Sequence, residues 1–332
     1  DRTIVVSRWG SYHGNTLGAL DLSGRRGLRK PYEPWLGRFE HVSAAYPYRA
    51  GLEGADAIGS GAEAVAELDA LLHRVGPGRI AAFVAEPIVG ATLAAAVPPD
   101  DYWPAVSAWC ERNKVLFVAD EVMTGFGRTG VGSQSGDRFH AFATQHEGVV
   151  PDLLALAKGL TGGYLPMAAT LTTQAIFDSF LGDYADFRTF FHGHSYTGNA
   201  LGAAASLASV GLLSAPAGVR RRRALEAVFQ AELDLLWRHP NVGDVRRVGL
   251  VAGIELVRDW RQRTPFRLEE RAGIRVCEAM ARRGVLTRPI GSVIALIPPY
   301  CTTQSQLRRM VSALAESLEE VFPHSACSAP GS

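Results

Sequence analysis

Short, almost wholly apolar runs alternate with amphipathic stretches through the first two thirds of the chain, and this alternation sets the expected fold. Residues 79–86, 115–121 and 153–157 are such runs, and they deliver Glu86, the pair Asp120 and Glu121, and Lys158 respectively. Runs of that length with little polar alternation read as strands covered on both faces, the habit of parallel sheets. Residues 62–75 and 102–114 carry apolar side chains at helical spacing instead. The chain opens with a further strand pattern and a loop bearing Gly10 and Gly14. Strands and helices in alternation predict an α/β fold, a mainly parallel sheet sandwiched by helices with its site at the carboxyl ends of the strands. Residues 167–172 and 188–191 are expected to complete the sheet, and a small-residue helix over 201–213 to pack behind it.

The pattern changes near Pro216, Ala217 and Gly218. Residues 1–217 are therefore expected to form a large domain and 218–332 a smaller α+β domain. The second part reads as a long helix, strands over 245–249 and 251–257, a helix over 268–283, a strand-like stretch over 293–298 and a terminal helix over 303–322. The basic run of residues 220–223 is expected on a solvated helix face, and residues 133–139 as a surface loop outside the sheet.

Composition narrows the function classes. With 34 basic and 33 acidic residues the net charge is +1, which predicts neither a nucleic-acid nor a membrane surface. The longest near-apolar run, 200–213, is too short to span a bilayer. Cys110, Cys277, Cys301 and Cys327 are far apart, the pattern of reduced thiols in a cytoplasmic protein. His192 and His194 have no carboxylate or cysteine at metal-ligand spacing, so a hydrogen-bonded structural role is expected and no metal.

Asp120 and Lys158 carry the chemistry. A lysine that bonds the aldehyde of pyridoxal 5'-phosphate (PLP) needs a carboxylate on the pyridine nitrogen, because that carboxylate keeps the ring protonated and electron-accepting. Taken singly, each has another reading: a carboxylate capping a glycine-rich turn, and a solvated lysine at a strand end. The segments EPIVGATLAAAVPP, ADEVMTGFGRTG, GVVPDLLALAKGLTGGYLPMAAT and FFHGHSYTGNALGAAAS, in that order, resemble the class III (ω-type) aminotransferases of PLP fold type I. The resemblance covers almost the whole chain. It implies that Lys158 is the Schiff-base lysine and general base, in a desolvated position, and that Asp120 is the partner of the ring nitrogen. Val122 and Tyr12 would flank the ring, with His13 beside the cofactor and Tyr12 also near substrate. Glu86 either orients the site or caps a helix. Ser195 stands where the family has a phosphate-binding serine or threonine that reaches the neighbouring subunit's cofactor, with His194 beside it, which implies a homodimer with shared sites.

The stretch 284–300, GVLTRPIGSVIALIPPY, resembles the diaminopelargonate synthases, and that likeness makes Arg288 the residue that binds a substrate carboxylate. Some of those enzymes have an aromatic residue where this chain has Ala295. SYHGNTLGAL and EPIVGATLAAAVPP look more like general ω-amino acid aminotransferases. The expected reaction is transfer of an amino group between an ω-amine or amino acid donor and a keto acceptor. A racemase or mutase on the same fold is a further alternative, and a non-catalytic remnant is one of another class. Family members carry a longer N-terminal region with a small-residue phosphate loop, so the sequence is expected to lack that part.

Overall fold

The computed structural model describes residues 2–130 and 139–323. The 133–139 loop lies outside the described residues except for Phe139, and Cys327 lies outside them altogether. The chain divides into two compact units, Asp1–Val89 with Val97–Val219, and Gly90–Ala96 with the chain from Arg220 onward. Residues 90–96, which the sequence pattern assigns to the large domain, thus belong to the second unit.

The first unit is built on strands β1 (Ile4–Arg8), β2 (Glu40–Val42), β3 (Ala44–Ala45), β4 (Ala57–Ile58), β5 (Ile80–Ala85), β6 (Leu116–Asp120), β7 (Leu153–Leu156) and β8 (Ala169–Thr172). Six of them form one sheet in the order β2-β1-β5-β6-β7-β8; β3 and β4 pair separately. All neighbours in the large sheet are parallel except β7 and β8. The unit is an α/β domain with helices against a mainly parallel sheet, as the alternation of strands and helices predicts. Its helices are α1 (Leu17–Leu22), α2 (Arg26–Arg29), α3 (Gly61–Val75), α4 (Tyr102–Asn113), α5 (Ala143–His146), α6 (Gln174–Asp178) and α7 (Ala200–Ser214). Leu68 and Leu71 of α3 and Trp103, Val106 and Trp109 of α4 lie in one core with Phe83 of β5 and Phe117 of β6. Ser60 starts α3 by accepting from the Glu63 amide at 3.2 Å, and Lys114 ends α4 in the left-handed conformation (φ 54°).

Two expectations for this unit fail. Residues 188–191 form no strand, and their side chains are exposed. Aromatic content makes Phe190 and Phe191 look strand-like, but no neighbouring strand presents its edge to them. Only part of α7 packs inward: Val210 and Leu213 meet the core, whereas Leu201, Leu207 and Leu212 are exposed.

The second unit begins within α8 (Pro216–Asp234), whose first residue is proline, a position that needs no amide donor. The helix therefore runs straight through the expected boundary at 216–218. Strands β9 (Val242–Val248), β10 (Val251–Asp259), β11 (Thr264–Pro265), β12 (Pro289–Ile290) and β13 (Val293–Leu296) form an antiparallel sheet ordered β11-β10-β13-β12, with β9 on β10. Helix α9 (Ala272–Arg282) is shorter than the periodicity implies because Arg271 is left-handed (φ 49°) and breaks the run. Helix α10 (Gln304–Val321) lies beside α9 and buries Leu307, Val311, Leu314 and Leu318, a stripe at helical spacing, in one core with residues of α9, β10 and β13. Of the basic run, Arg222 is buried and lies over the Tyr300 ring at 5.4 Å, which corrects the expectation of a wholly solvated face. Arg246 joins residues 90–96 to this unit: Nη1 donates to Asp244 (2.8 Å) and Glu255 (3.0 Å), and Nη2 to the carbonyls of Leu93 (3.4 Å) and Ala94 (3.2 Å). A Cβ on Gly253 would lie 2.0 Å from the Ala94 carbonyl oxygen, so only glycine allows that approach. Among the described residues no single helix is long and apolar enough to cross a membrane.

Candidate active site

Parallel pairing brings the chemistry to one edge of the first unit. β1, β5, β6 and β7 are consecutive neighbours, so their carboxyl ends present Arg8, Glu86, Asp120 and the approach to Lys158 side by side. The register pairs Asp120 with Ala155, and Lys158 follows shortly after in a single 3₁₀ turn, Lys158–Leu160. A carboxylate and an amine on adjacent strand ends are thus a consequence of two apolar runs lying in register.

Asp120 is buried, and both of its oxygens are held. Oδ2 lies 2.7 Å from Nδ1 of His13, and Oδ1 accepts from the Val122 amide at 3.1 Å. The imidazole is itself buried, and among the described residues its Nε2 has no hydrogen-bond partner. The His13 amide donates to Ser23 Oγ at 2.8 Å, and the Tyr12 amide donates to Glu86 Oε1 at 2.9 Å. Glu86 is buried and anchors the Tyr12–His13 loop by accepting from the Tyr12 amide. Gly24 closes this loop: a Cβ there would lie 2.2 Å from the Arg8 carbonyl oxygen.

The neighbouring Glu121 is fully buried. It accepts from the Ala143 amide (3.0 Å), the Thr144 amide (2.8 Å), Thr144 Oγ1 (3.0 Å) and Thr124 Oγ1. Burial pushes its carboxyl above the usual range, while these donors pull in the other direction. It fastens the loop after β6 to the start of α5.

Lys158 adopts a left-handed backbone (φ 44°), a costly conformation for a residue with a Cβ and one that clusters at functional positions. Ser209 of α7 donates to the next carbonyl, that of Gly159, at 2.9 Å, and a Cβ on Gly159 would come within 2.9 Å of Phe126. The turn is held; the lysine side chain is exposed. The desolvated position expected for it is therefore not supplied by the described residues.

Tyr12, His13, Glu86, Asp120 and Val122 are brought together by these bonds, and Lys158 by strand adjacency. His194 and Ser195 stand apart on an exposed segment. His194 Nδ1 accepts from the Tyr196 amide at 3.1 Å, and the His194 amide donates to Thr197 Oγ1 at 3.0 Å, both within their own turn before α7. Arg288, in the second unit, is exposed and borders a cavity of about 450 Å³ with Leu286, Thr287, Ala295 and Met310. The contacts missing from the sequence reading are Ser23, Thr124 and Thr144. Nothing in local spacing marks them, because their partners arrive from elsewhere in the fold.

The donor set fits PLP: a buried carboxylate oriented by two donors for a ring nitrogen, and an accessible amine on the adjacent strand for an aldehyde. Residues 1–318 match the family model for class III aminotransferases, and the chain belongs to that family. It is 42% identical over 98% of its length to an adenosylmethionine-8-amino-7-oxononanoate aminotransferase of Nitratidesulfovibrio vulgaris, and it spans 58% of that relative. The crystal structure of the corresponding Methanocaldococcus jannaschii enzyme superimposes with a TM-score of 0.82 at 35% identity, covering 96% of this chain and 68% of that one. A PLP-bound amine transaminase from an uncultivated Pseudomonas species superimposes at 0.86 with 32% identity, over 96% of this chain and 70% of the other.

Proposed function

We propose that the chain is the catalytic part of a PLP-dependent transaminase that moves an amino group from an ω-amine or amino acid to a keto acceptor. The observation that carries this reading is the placement of Asp120 and Lys158 at adjacent strand ends, with Asp120 already oriented. When bound, PLP supplies an electron sink for the pair released as a proton leaves the amine-bearing carbon. Lys158 Nζ would be the group to take that proton and return it, being an accessible amine just beyond the strand end next to that of Asp120. Asp120 would hold the proton on the pyridine nitrogen; His13 and the Val122 amide keep its carboxylate in place for that task. Tyr12 and Val122 would flank the ring. Borohydride reduction of PLP-loaded protein, followed by peptide mapping, should label Lys158; a label on any other lysine overturns the assignment.

The particular reaction we favour is amination of 8-amino-7-oxononanoate to 7,8-diaminononanoate in biotin synthesis. The name of the 42%-identical relative supports it, as does Arg288, whose planar guanidinium beside an aliphatic cavity suits a carboxylate on an apolar chain. A general ω-amino acid aminotransferase is the second reading, favoured by the superposition on an amine transaminase. Growth of a biotin auxotroph lacking this step, when supplied with the gene, separates them: only the first predicts rescue.

We further infer that two copies associate and that the enzyme works in the cytoplasm. Tyr184, Phe187, Phe190, Phe191 and Tyr196 are between 62% and 94% exposed, an aromatic surface of the kind that subunits bury. Ser195 and His194 lie on this segment, so association would carry them to the partner's cofactor phosphate.

A further inference from the structure

Arg8 ends β1 wholly inside the protein, with no solvent exposure. Its guanidinium carbon lies 5.5 Å from the ring centroids of both Tyr102 and Trp103, so the cation rests against an aromatic pair of α4. Nη2 donates to the Glu86 carbonyl. Nε and Nη1 are buried and, among the described residues, make no well-aligned hydrogen bond, although the cation does interact with the Tyr102 hydroxyl. Among the described residues Arg8 forms no ion pair with a carboxylate; the Glu86 carboxylate accepts from the Tyr12 amide. A buried cation without a paired carboxylate costs several kcal/mol, and an apolar side chain of similar volume is commonly as stable or more so. Stability alone therefore gives Arg8 no reason to be an arginine.

Its bond accounts for it. Trp103 Nε1 donates to the Pro87 carbonyl at 3.3 Å, so Arg8 and Trp103 grip two successive carbonyls of the Glu86–Pro87 turn. That turn aims the Glu86 carboxylate at the Tyr12 amide, and the next residue, His13, holds Asp120. We propose that Arg8 is a positioning residue for the Asp120 end of the site: it fixes the Glu86 turn from beneath, and through Glu86 and the Tyr12–His13 loop it fixes the carboxylate of Asp120. This rests on the transaminase reading for its catalytic consequence, though not for its geometry.

The test uses Arg8→Met and Arg8→Lys in the PLP-loaded chain and in the chain without PLP. Arg8→Met should unfold at a temperature no lower than the parent. Its kcat should fall roughly 10- to 100-fold, the scale of a small misplacement, while KM for the amino donor stays within about twofold. Hydrogen exchange at the Tyr12 amide, measured without PLP, should quicken by about tenfold or more. Arg8→Lys, which can still donate to the Glu86 carbonyl, should recover part of both effects. Unchanged kcat and unchanged Tyr12 exchange overturn the proposal, as does a loss of kcat that matches a loss of folded protein. If Arg8→Met does not fold, a cycle of Arg8→Lys with Glu86→Gln decides: additive effects overturn it, and non-additive ones support it. A parent chain that fails to take PLP on Lys158 sinks the transaminase reading, whereas the exchange result still judges Arg8.

Discussion

The carboxyl end of β6 and the segment around residues 184–196 belong to the same unit and could hardly differ more. At the first, Asp120 and Glu121 are buried and each of their oxygens has a donor, drawn from the loops after β1 and β6 and from α5. At the second, aromatic side chains face outward and the hydrogen bonds are confined to the local turn. The acidic half of the site is completed by the folding of one chain, because orienting a buried carboxylate requires fixed donors at short range. The segment around 184–196 has its hydrogen bonds to itself and its aromatic surface exposed, and it is on this surface that the proposed association of two copies rests.

Breaking the finished half should have the largest effect. Asp120→Asn keeps the shape and removes the charge, so kcat should fall by roughly 10²- to 10⁴-fold while the bond of PLP to Lys158 survives; single-turnover absorbance kinetics measure it, and a loss under tenfold would show that the acid is not matched to the ring nitrogen. Tyr184→Asp with Phe191→Asp places charge on the exposed aromatic surface. Subunit association should weaken at least about tenfold by sedimentation, with Asp120 and its neighbours unaffected, and an unchanged association constant would mean that this face meets no second copy. Glu121→Gln sharpens the buried end: the amide cannot accept from four donors, and stability should fall by about 1–3 kcal/mol in urea unfolding.

The smallest effect concerns His41. Burial, with the neighbouring charge of Arg29, lowers its imidazole to about 4 from the ordinary 6.5, so the folded protein keeps it neutral where the unfolded chain protonates it. Its contribution is therefore present above pH 6.5 and is lost as pH falls toward 4. Over that window the parent should lose about 2 kcal/mol, allowing for the ring's partial access to water, and His41→Phe should lose less. Equal slopes for both proteins would remove His41 as the cause.

What could be read in the sequence follows the same division. The apolar runs of β5, β6 and β7 announced themselves because strands covered on both faces leave few polar positions, and the charged residues at their ends marked the site. Asp120 and Lys158 were legible for that reason. The His13–Asp120 bond was not, since its partners are 107 residues apart and only the β1-β5-β6 order brings them together. Phe190 and Phe191 misled because side-chain type suggests a strand, while strand formation needs an edge to pair with. The break at Arg271 escaped because helical periodicity continues across it.

The clasp of Arg246 on residues 90–96 bears on the order in which the protein can be assembled. The chain enters the second unit, leaves it, and returns more than a hundred residues later. A gene fragment starting at α8 would encode the antiparallel sheet and its helices yet omit the carbonyls that Arg246 grips, among them that of Ala94, which Gly253 admits. During synthesis the short piece must be kept available while the whole of α4 to α7 is made. The second unit is thus a C-terminal module in appearance only, and its last piece of core is the first to leave the ribosome.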